Sequence, residues 1–288
     1  MSTYRMFVGG VQVTAVSDGN LFLEKSFYPE ISGDRWAEYS SQVQPDGRVL
    51  MNLGSFVLHS AGRNILVDTG IGPTPGRFMA DCGRLPGEMR DGGVPPEDID
   101  IVLLTHLHGD HVGWNIVGEG DDRRLGFPKA RYLAPKIDWE DSLAMSNSTA
   151  GPPEDEAARM RRVDAFVQKV LPLETFGCLD LYEGMHSVTP EITTLPSPGH
   201  TPGHMCVMIE SQGKKAIIIA DAAHLPHEVH ETDWVCRGDR DGAATIATRE
   251  KLLDDAERSG ALVLAGHFPA PGVGRLDRTN GRRYWQAL

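Results

Sequence analysis

Between Thr105 and His111 the chain reads Thr-His-Leu-His-Gly-Asp-His, so three imidazoles and one carboxylate fall within six consecutive positions. They follow directly on the apolar run Ile101-Val-Leu-Leu104. A continuous apolar run of that length is expected of a strand covered on both faces. The motif therefore sits on a loop at the end of a buried strand, where side chains can splay around a point. His106 and His108 are two residues apart and project to the same side of an extended backbone. Gly109 allows an unusual backbone turn before Asp110 and His111. Neutral imidazole and carboxylate are the donors that borderline divalent metals such as zinc prefer. One metal takes about three or four protein donors. The motif's own donors suit two adjacent centres better than one, so further donors are expected downstream at other strand ends.

Such residues are present. Pro198-Gly-His200-Thr-Pro-Gly-His204 follows the strand-like Ile192-Thr-Thr-Leu195, Asp221 follows Ala216-Ile-Ile-Ile219, and His267 follows Leu262-Val-Leu264. A single His or Asp at any one of these places would read as structural. Together, beside the His-rich motif, they read as a metal centre. Other strand signals are Val11–Val16, Phe56–His59 and Asn64–Val67 around a turn at Ala61-Gly-Arg63, Ala130–Leu133 and Met205–Ile209. Helical signals are a short first turn at Pro95–Ile99, a helix from about Glu154 to Val170, and one from about Ala243 to Ser259 with Gly260 as its stop. The pattern predicts an α+β fold in which two mixed sheets pack face to face with helices outside. No composition break marks a linker, so residues 1–288 are expected to form one domain. Two aperiodic stretches stand apart. Leu21–Gln42, rich in aromatics, reads as a loop packed on the body or as a lid or dimer arm, and Gly72–Gly93 admits the same readings.

The formal charge of −12 argues against a nucleic-acid partner. No apolar run approaches the roughly 20 residues of a membrane span. The chain enters strand-like sequence at Tyr4–Val8 with no signal-peptide pattern ahead of it, and its four cysteines form no CxxC pair. A cytoplasmic protein with free thiols is expected, none of them a ligand or nucleophile.

The order HxHxDH, then His200 in a Pro-Gly-His-Thr-Pro-Gly-His segment, then Asp221, then His267 resembles the metallo-β-lactamase superfamily along nearly the whole chain. That resemblance implies an αββα sandwich. It also implies that His106, His108 and His200 hold one metal, that Asp110, His111 and His267 hold a second, and that Asp221 bridges them. Leu66-Val-Asp68-Thr-Gly70 resembles the family's first motif, where the Asp supports the metal loops without binding metal. His204 fits a supporting place. The segments Gly126–Tyr132, Ala220–His224, Ala247–Arg249 and Gly266–Pro269 are similar to the methyl-parathion-hydrolase-like branch, which also contains lactonases. The more distant acyl-homoserine lactonases carry a Tyr three residues after the bridging Asp, where this chain has His224. The implied function is hydrolysis of an ester-like bond (a lactone, carboxylic ester or phosphotriester) by two divalent ions, zinc first, that share one hydroxide. Asp110, Asp221 and His224 are the implied catalytic residues. The alternatives are a fold-retaining metal-binding protein without hydrolytic activity, against which the intact donor set argues, and another hydrolase of the family such as a β-lactamase, against which the bridging Asp argues. The expected partner is a small-molecule substrate, and the resemblance also admits a homodimer joined through the Leu21–Gln42 arm.

Overall fold

The computed structural model describes residues 4–73, 82–148 and 156–288. The first sheet has seven strands in the order β1 (Tyr4–Val8), β2 (Val11–Leu23), β3 (Val49–Ser60), β4 (Arg63–Val67), β5 (Ile101–Leu103), β8 (Arg131–Pro135) and β9 (Leu179–Tyr182). A small ribbon, β6 (Ile116–Val117) with β7 (Arg124–Leu125), lies outside it. The second sheet, also of seven strands, runs β10 (Ser187–Thr189), β11 (Ile192–Pro196), β12 (Met205–Ser211), β13 (Lys214–Ile218), β14 (Leu262–Leu264), β15 (Val273–Thr279) and β16 (Arg282–Ala287). The first four strands pair antiparallel, whereas β4, β5, β8 and β9 run parallel. In the second sheet only β13 and β14 pair parallel.

The period of two along each strand decides which core a side chain joins. Ile65, Val67, Ile101 and Leu103 point inward and meet Val207, Ile209, Ala216, Ile218 and Leu264 between the sheets. Their neighbours Leu66 and Val102 point outward, under Leu85, Met89, Trp139, Phe166 and Val170. Ile217 and Val263 likewise face Leu252, Leu253 and Ala256. Each central strand is thus covered on both faces, which is why Ile101–Leu104 and Ala216–Ile219 read as unbroken apolar runs. The outer helices are α1 (Gly33–Ala37), α2 (Leu85–Asp91), α3 (Gly109–Val112), α4 (Lys136–Asn147), α5 (Glu156–Ala165), α6 (Pro172–Thr175) and α7 (Gly242–Ser259). The Asp241 side chain caps the start of α7 by accepting the Ala244 N–H, and Gly260 ends it at φ +65°.

The predicted αββα sandwich is the observed one. Several elements differ from expectation. The helix expected through Val170 passes into one π turn at Phe166–Val170, and Pro95–Ile99 holds a 3-10 turn at Pro96–Asp98. Helix α4, strand β9 and the β15–β16 hairpin carry no clear period in the sequence. The Leu21–Gln42 stretch is not wholly loop. It begins as the end of β2, contains α1, and buries Tyr28, Trp36 and Tyr39 against Leu225 and Trp234. Within Gly72–Gly93, α2 packs on β2, while residues 74–81 lie outside the described residues.

Candidate metal centre

Strands β4, β5, β11, β13 and β14 all deliver polar residues to one edge of the sandwich. Asp68 follows β4 at φ +59°, a left-handed conformation uncommon for a residue with a Cβ. Its carboxylate accepts the Thr105 N–H and Oγ1–H, both at 2.8 Å, and faces His111 Nδ1 at 2.9 Å. Because the Thr105 hydroxyl donates to Asp68, it accepts from His106 Nδ1 at 3.1 Å. Asp68 thereby sets the tautomer of two imidazoles, so that in their neutral forms both Nε2 atoms carry the lone pair. Helix α3 docks on the same loop. Its end at Gly113 comes so close that an added Cβ would lie 2.0 Å from the Ile71 carbonyl carbon.

The remaining imidazoles are held similarly. His267 Nδ1 donates to the Asn52 carbonyl at 2.8 Å, and His200 Nδ1 donates to Asp239 Oδ1 at 2.9 Å. In the neutral ring this leaves His200 Nε2 as the acceptor nitrogen, 2.9 Å from His108 Nδ1 and 3.1 Å from Asp221 Oδ2. Asp221 is the junction of the cluster. Its Oδ2 faces His200 Nε2 and lies 3.8 Å from His106 Nε2. Its Oδ1 lies 3.2 Å from His111 Nε2 and 3.1 Å from His267 Nε2. Asp110 Oδ2 approaches the last two at 3.8 and 3.7 Å. Two donor groups result, His106–His108–His200–Asp221 and Asp110–His111–His267, with the atoms of each within 4.8 Å of one another.

The donors fit divalent metals. A tetrahedral ion with bonds of about 2.0–2.1 Å sets its ligand atoms roughly 3.4 Å apart, close to the spacings seen here. The Nε2 atoms of His106, His111 and His267 and Oδ1 of Asp221 are buried without hydrogen-bond partners, which a native interior seldom tolerates unless an ion or water satisfies them. The electrostatics agree. Burial pushes the His106 and His108 imidazoles well below the usual histidine range. At His111, His200 and His267 burial acts the same way, but the Asp221 carboxylate overrides it and holds them high. Burial would raise the Asp221 carboxyl, yet His111, His267, His106 and His200 hold it well below the carboxylate range. Dense negative charge balanced by surrounding imidazoles is the setting a cation would occupy.

His108 and Asp110 are partly exposed, whereas His106, His111, His200, Asp221 and His267 are buried. His204 stands behind the cluster. Its Nε2 accepts the Asp221 N–H at 3.1 Å, its Nδ1 faces the Ser197 carbonyl at 2.9 Å, and burial lowers its pKa to about 3. His224 Nε2 is 3.2 Å from Asp221 Oδ2, and its ring lies parallel to that of His267 at 5.6 Å. A third grouping joins His200, His224 and Cys236. Here His200 Nδ1 is already committed to Asp239, and burial pushes the Cys236 thiol up to about 12.

The sequence did not point to Asp239, whose carboxyl is held at about 2, against burial, by its bond to His200. It lies in a polar run from Arg237 to Asp241 that looks like an ordinary turn. The Asn52 carbonyl left no signal at all, since any residue supplies that group.

Comparison with known proteins agrees with this geometry. A model of the metallo-β-lactamase superfamily matches residues 54–117, the stretch that holds Asp68 and the whole His-rich motif. The N-acyl homoserine lactonase AiiA of Bacillus thuringiensis subsp. kurstaki is 22% identical over 244 residues, which cover 79% of this chain and 86% of that protein. Among solved structures, the hydrolase AbOPH of the beta lactamase superfamily superposes with a TM-score of 0.88 at 24% identity, covering 100% of this chain and 97% of that one. AidC, a dizinc quorum-quenching lactonase in complex with a product, gives a TM-score of 0.84 at 22% identity with the same coverage. The fold, the motif order and the convergent donors agree with the match of residues 54–117 to the metallo-β-lactamase superfamily, and over most of its length the chain is similar to hydrolases.

Proposed function

We propose that the protein hydrolyses an ester-like bond with two divalent metals, zinc first, and that a lactone is the leading substrate class. The observation that carries this reading is the placement of Asp221, whose two carboxylate oxygens face separate imidazole sets. His106, His108 and His200 would hold one ion and Asp110, His111 and His267 the other, with Asp221 between them. When bound, such a pair acidifies water to a pKa near 7 and polarises the scissile carbonyl. The lactone preference is supported by relatives such as AiiA and AidC, which are lactonases aligned with most or all of this chain.

The chain's own residues then have distinct tasks. Asp68, Asp239 and the Asn52 carbonyl lock ring tautomers, so the donor atoms face the cleft before substrate arrives. Asp110, the more exposed carboxylate of the cluster at 21% against 4% for Asp221, is the one attacking water can reach. The Asp110 carboxylate oxygen not turned to His111 and His267 would take the proton as the new carbon–oxygen bond forms and return it to the alkoxide as the ester bond breaks. His224, at the position where acyl-homoserine lactonases carry a Tyr, presents Nε2 beside Asp221 as a donor to the developing oxyanion.

The test is acid release, followed with a pH indicator, from zinc-reconstituted protein given a medium-chain acyl-homoserine lactone beside a simple aryl ester. Chelator-sensitive opening of the lactone is the expected result. Ester cleavage without lactone turnover would retain a hydrolase and move the substrate class to esters or phosphotriesters. The absence of chelator-sensitive turnover on any of these would overturn the reading.

A further inference from the structure

The segment from Ala220 to Leu225 carries both Asp221 and His224, and its backbone is held by the nearby Glu228 and the distant Arg249. Ala220 adopts φ +44°, a conformation that persists in a residue with a Cβ only where its surroundings impose it. The Ala222 carbonyl accepts from Arg249 Nε at 2.6 Å. The N–H groups of His224 and Leu225 both donate to Glu228 Oε2, at 2.7 and 2.6 Å, and the Tyr28 hydroxyl donates to the same oxygen at 3.2 Å. Glu228 Oε1 lies 3.0 Å from Arg249 Nη2, and the two side chains are 0% and 1% exposed. Arg249 Nη1 donates on to the Thr232 and Trp234 carbonyls.

Removing two opposite charges from water offsets most of their attraction, so a fully buried ion pair is weak evidence of a device for stability. Three of the pair's hydrogen bonds go to backbone groups of the segment that bears His224: the His224 and Leu225 N–H groups on Glu228 and the Ala222 carbonyl on Arg249. A single carboxylate oxygen serves two N–H groups and a hydroxyl, while the other oxygen faces the guanidinium. A glutamine in its place would turn its amide N–H groups toward one set of donors. We infer that Glu228, backed by Arg249 and Tyr28, is the positioning residue for His224, fixing its imidazole against Asp221 from beneath while the edge of Phe27 stands over it from outside at 6.0 Å between ring centres. This inference rests on the hydrolytic reading only in placing His224 beside the reacting atoms.

The test uses the zinc-loaded full chain in three forms: wild type, Tyr28→Phe, and Glu228→Gln combined with Arg249→Met so that no unpaired charge is buried. Each is also made in a His224→Phe background. Bound zinc, kcat and KM on whichever ester or lactone is turned over, and the imidazole nitrogen resonances of His224 are measured. The neutralised pair is expected to keep both metals, leave KM unchanged, lower kcat by about 10–100-fold, and shift the His224 resonances. In the His224→Phe background it should lower kcat no further, because coupled residues are non-additive. An equal fall in both backgrounds, loss of metal, or unshifted His224 resonances would overturn the proposal. If the neutralised pair does not fold, Tyr28→Phe decides by the same comparison, with a smaller fall in kcat expected only when His224 is present. A wild-type protein that turns over no substrate would sink the hydrolytic reading alone, and the His224 resonances would still decide the positioning role.

Discussion

Asp221 is the side chain at which the two proposed metal sites would become one. Its carboxylate lies at the end of β13, 3% exposed, with Oδ2 toward His200 and Oδ1 toward His111 and His267. Alanine there leaves both imidazole sets without their shared anion and without a donor each. Asp221→Ala is therefore expected to lose at least one metal and nearly all turnover, as read by metal analysis beside the acid-release assay. Full activity with two metals bound would contradict the bridging role. The tautomer locks act at the same scale, where one carbonyl or carboxylate on the remote nitrogen decides which way a ring's lone pair points.

The aromatic arm, with α1 at its centre, is tied down by packing and by acidic residues, among them Glu231. Tyr28, Trp36 and Tyr39 are buried in a cluster with Trp234. Glu231 accepts from the Tyr39 hydroxyl at 2.7 Å and from Arg282 on β16 at 2.6 Å, and also pairs with Arg35 of α1. Burial alone would raise the Glu231 carboxyl, but Tyr39, Arg35 and Arg282 hold it at about 2, below its ordinary 4.5. A carboxyl whose folded pKa is depressed adds stability above its unfolded pKa and loses it as pH falls toward the folded one. The melting temperature of Glu231→Gln should thus lie below that of wild type at neutral pH, with the gap closing between about pH 4.5 and pH 2. Both proteins share the same metal donors, so the difference isolates this network. A gap that stays constant across the window would show that Glu231 does not act through its charge.

Across the whole molecule, the proposed donors come from both sheets. His106, His108, Asp110 and His111 follow β5, whereas His200, Asp221 and His267 follow β11, β13 and β14. Metal bound there ties the two halves of the sandwich, and an ion that binds only the folded state raises its stability by mass action, by about 2.7 kcal/mol at 100 times Kd. Chelation is expected to lower the melting temperature and added zinc to restore it in a concentration-dependent way. A melting curve indifferent to both would argue against a metal held by these residues. Much of this architecture is legible in the residues alone. Runs such as Ile101–Leu104 and Ala216–Ile219 mark strands covered on both faces, and the His-rich motif with His200, Asp221 and His267 at later strand ends marks the imidazoles and carboxylates that the fold brings together, because strand burial and metal chemistry each demand particular residue types. What holds those donors is a matter of tertiary structure. Asp239 sits in an unremarkable polar turn, Asn52 contributes only its carbonyl, and Glu228, which caps its own turn locally at His224 and Leu225, meets Arg249 and Tyr28 only once α7 and the arm have packed. Residue type announces a metal donor or a buried strand, but a hydrogen bond between distant segments depends on where the backbone brings them, and that information exists only in the folded chain.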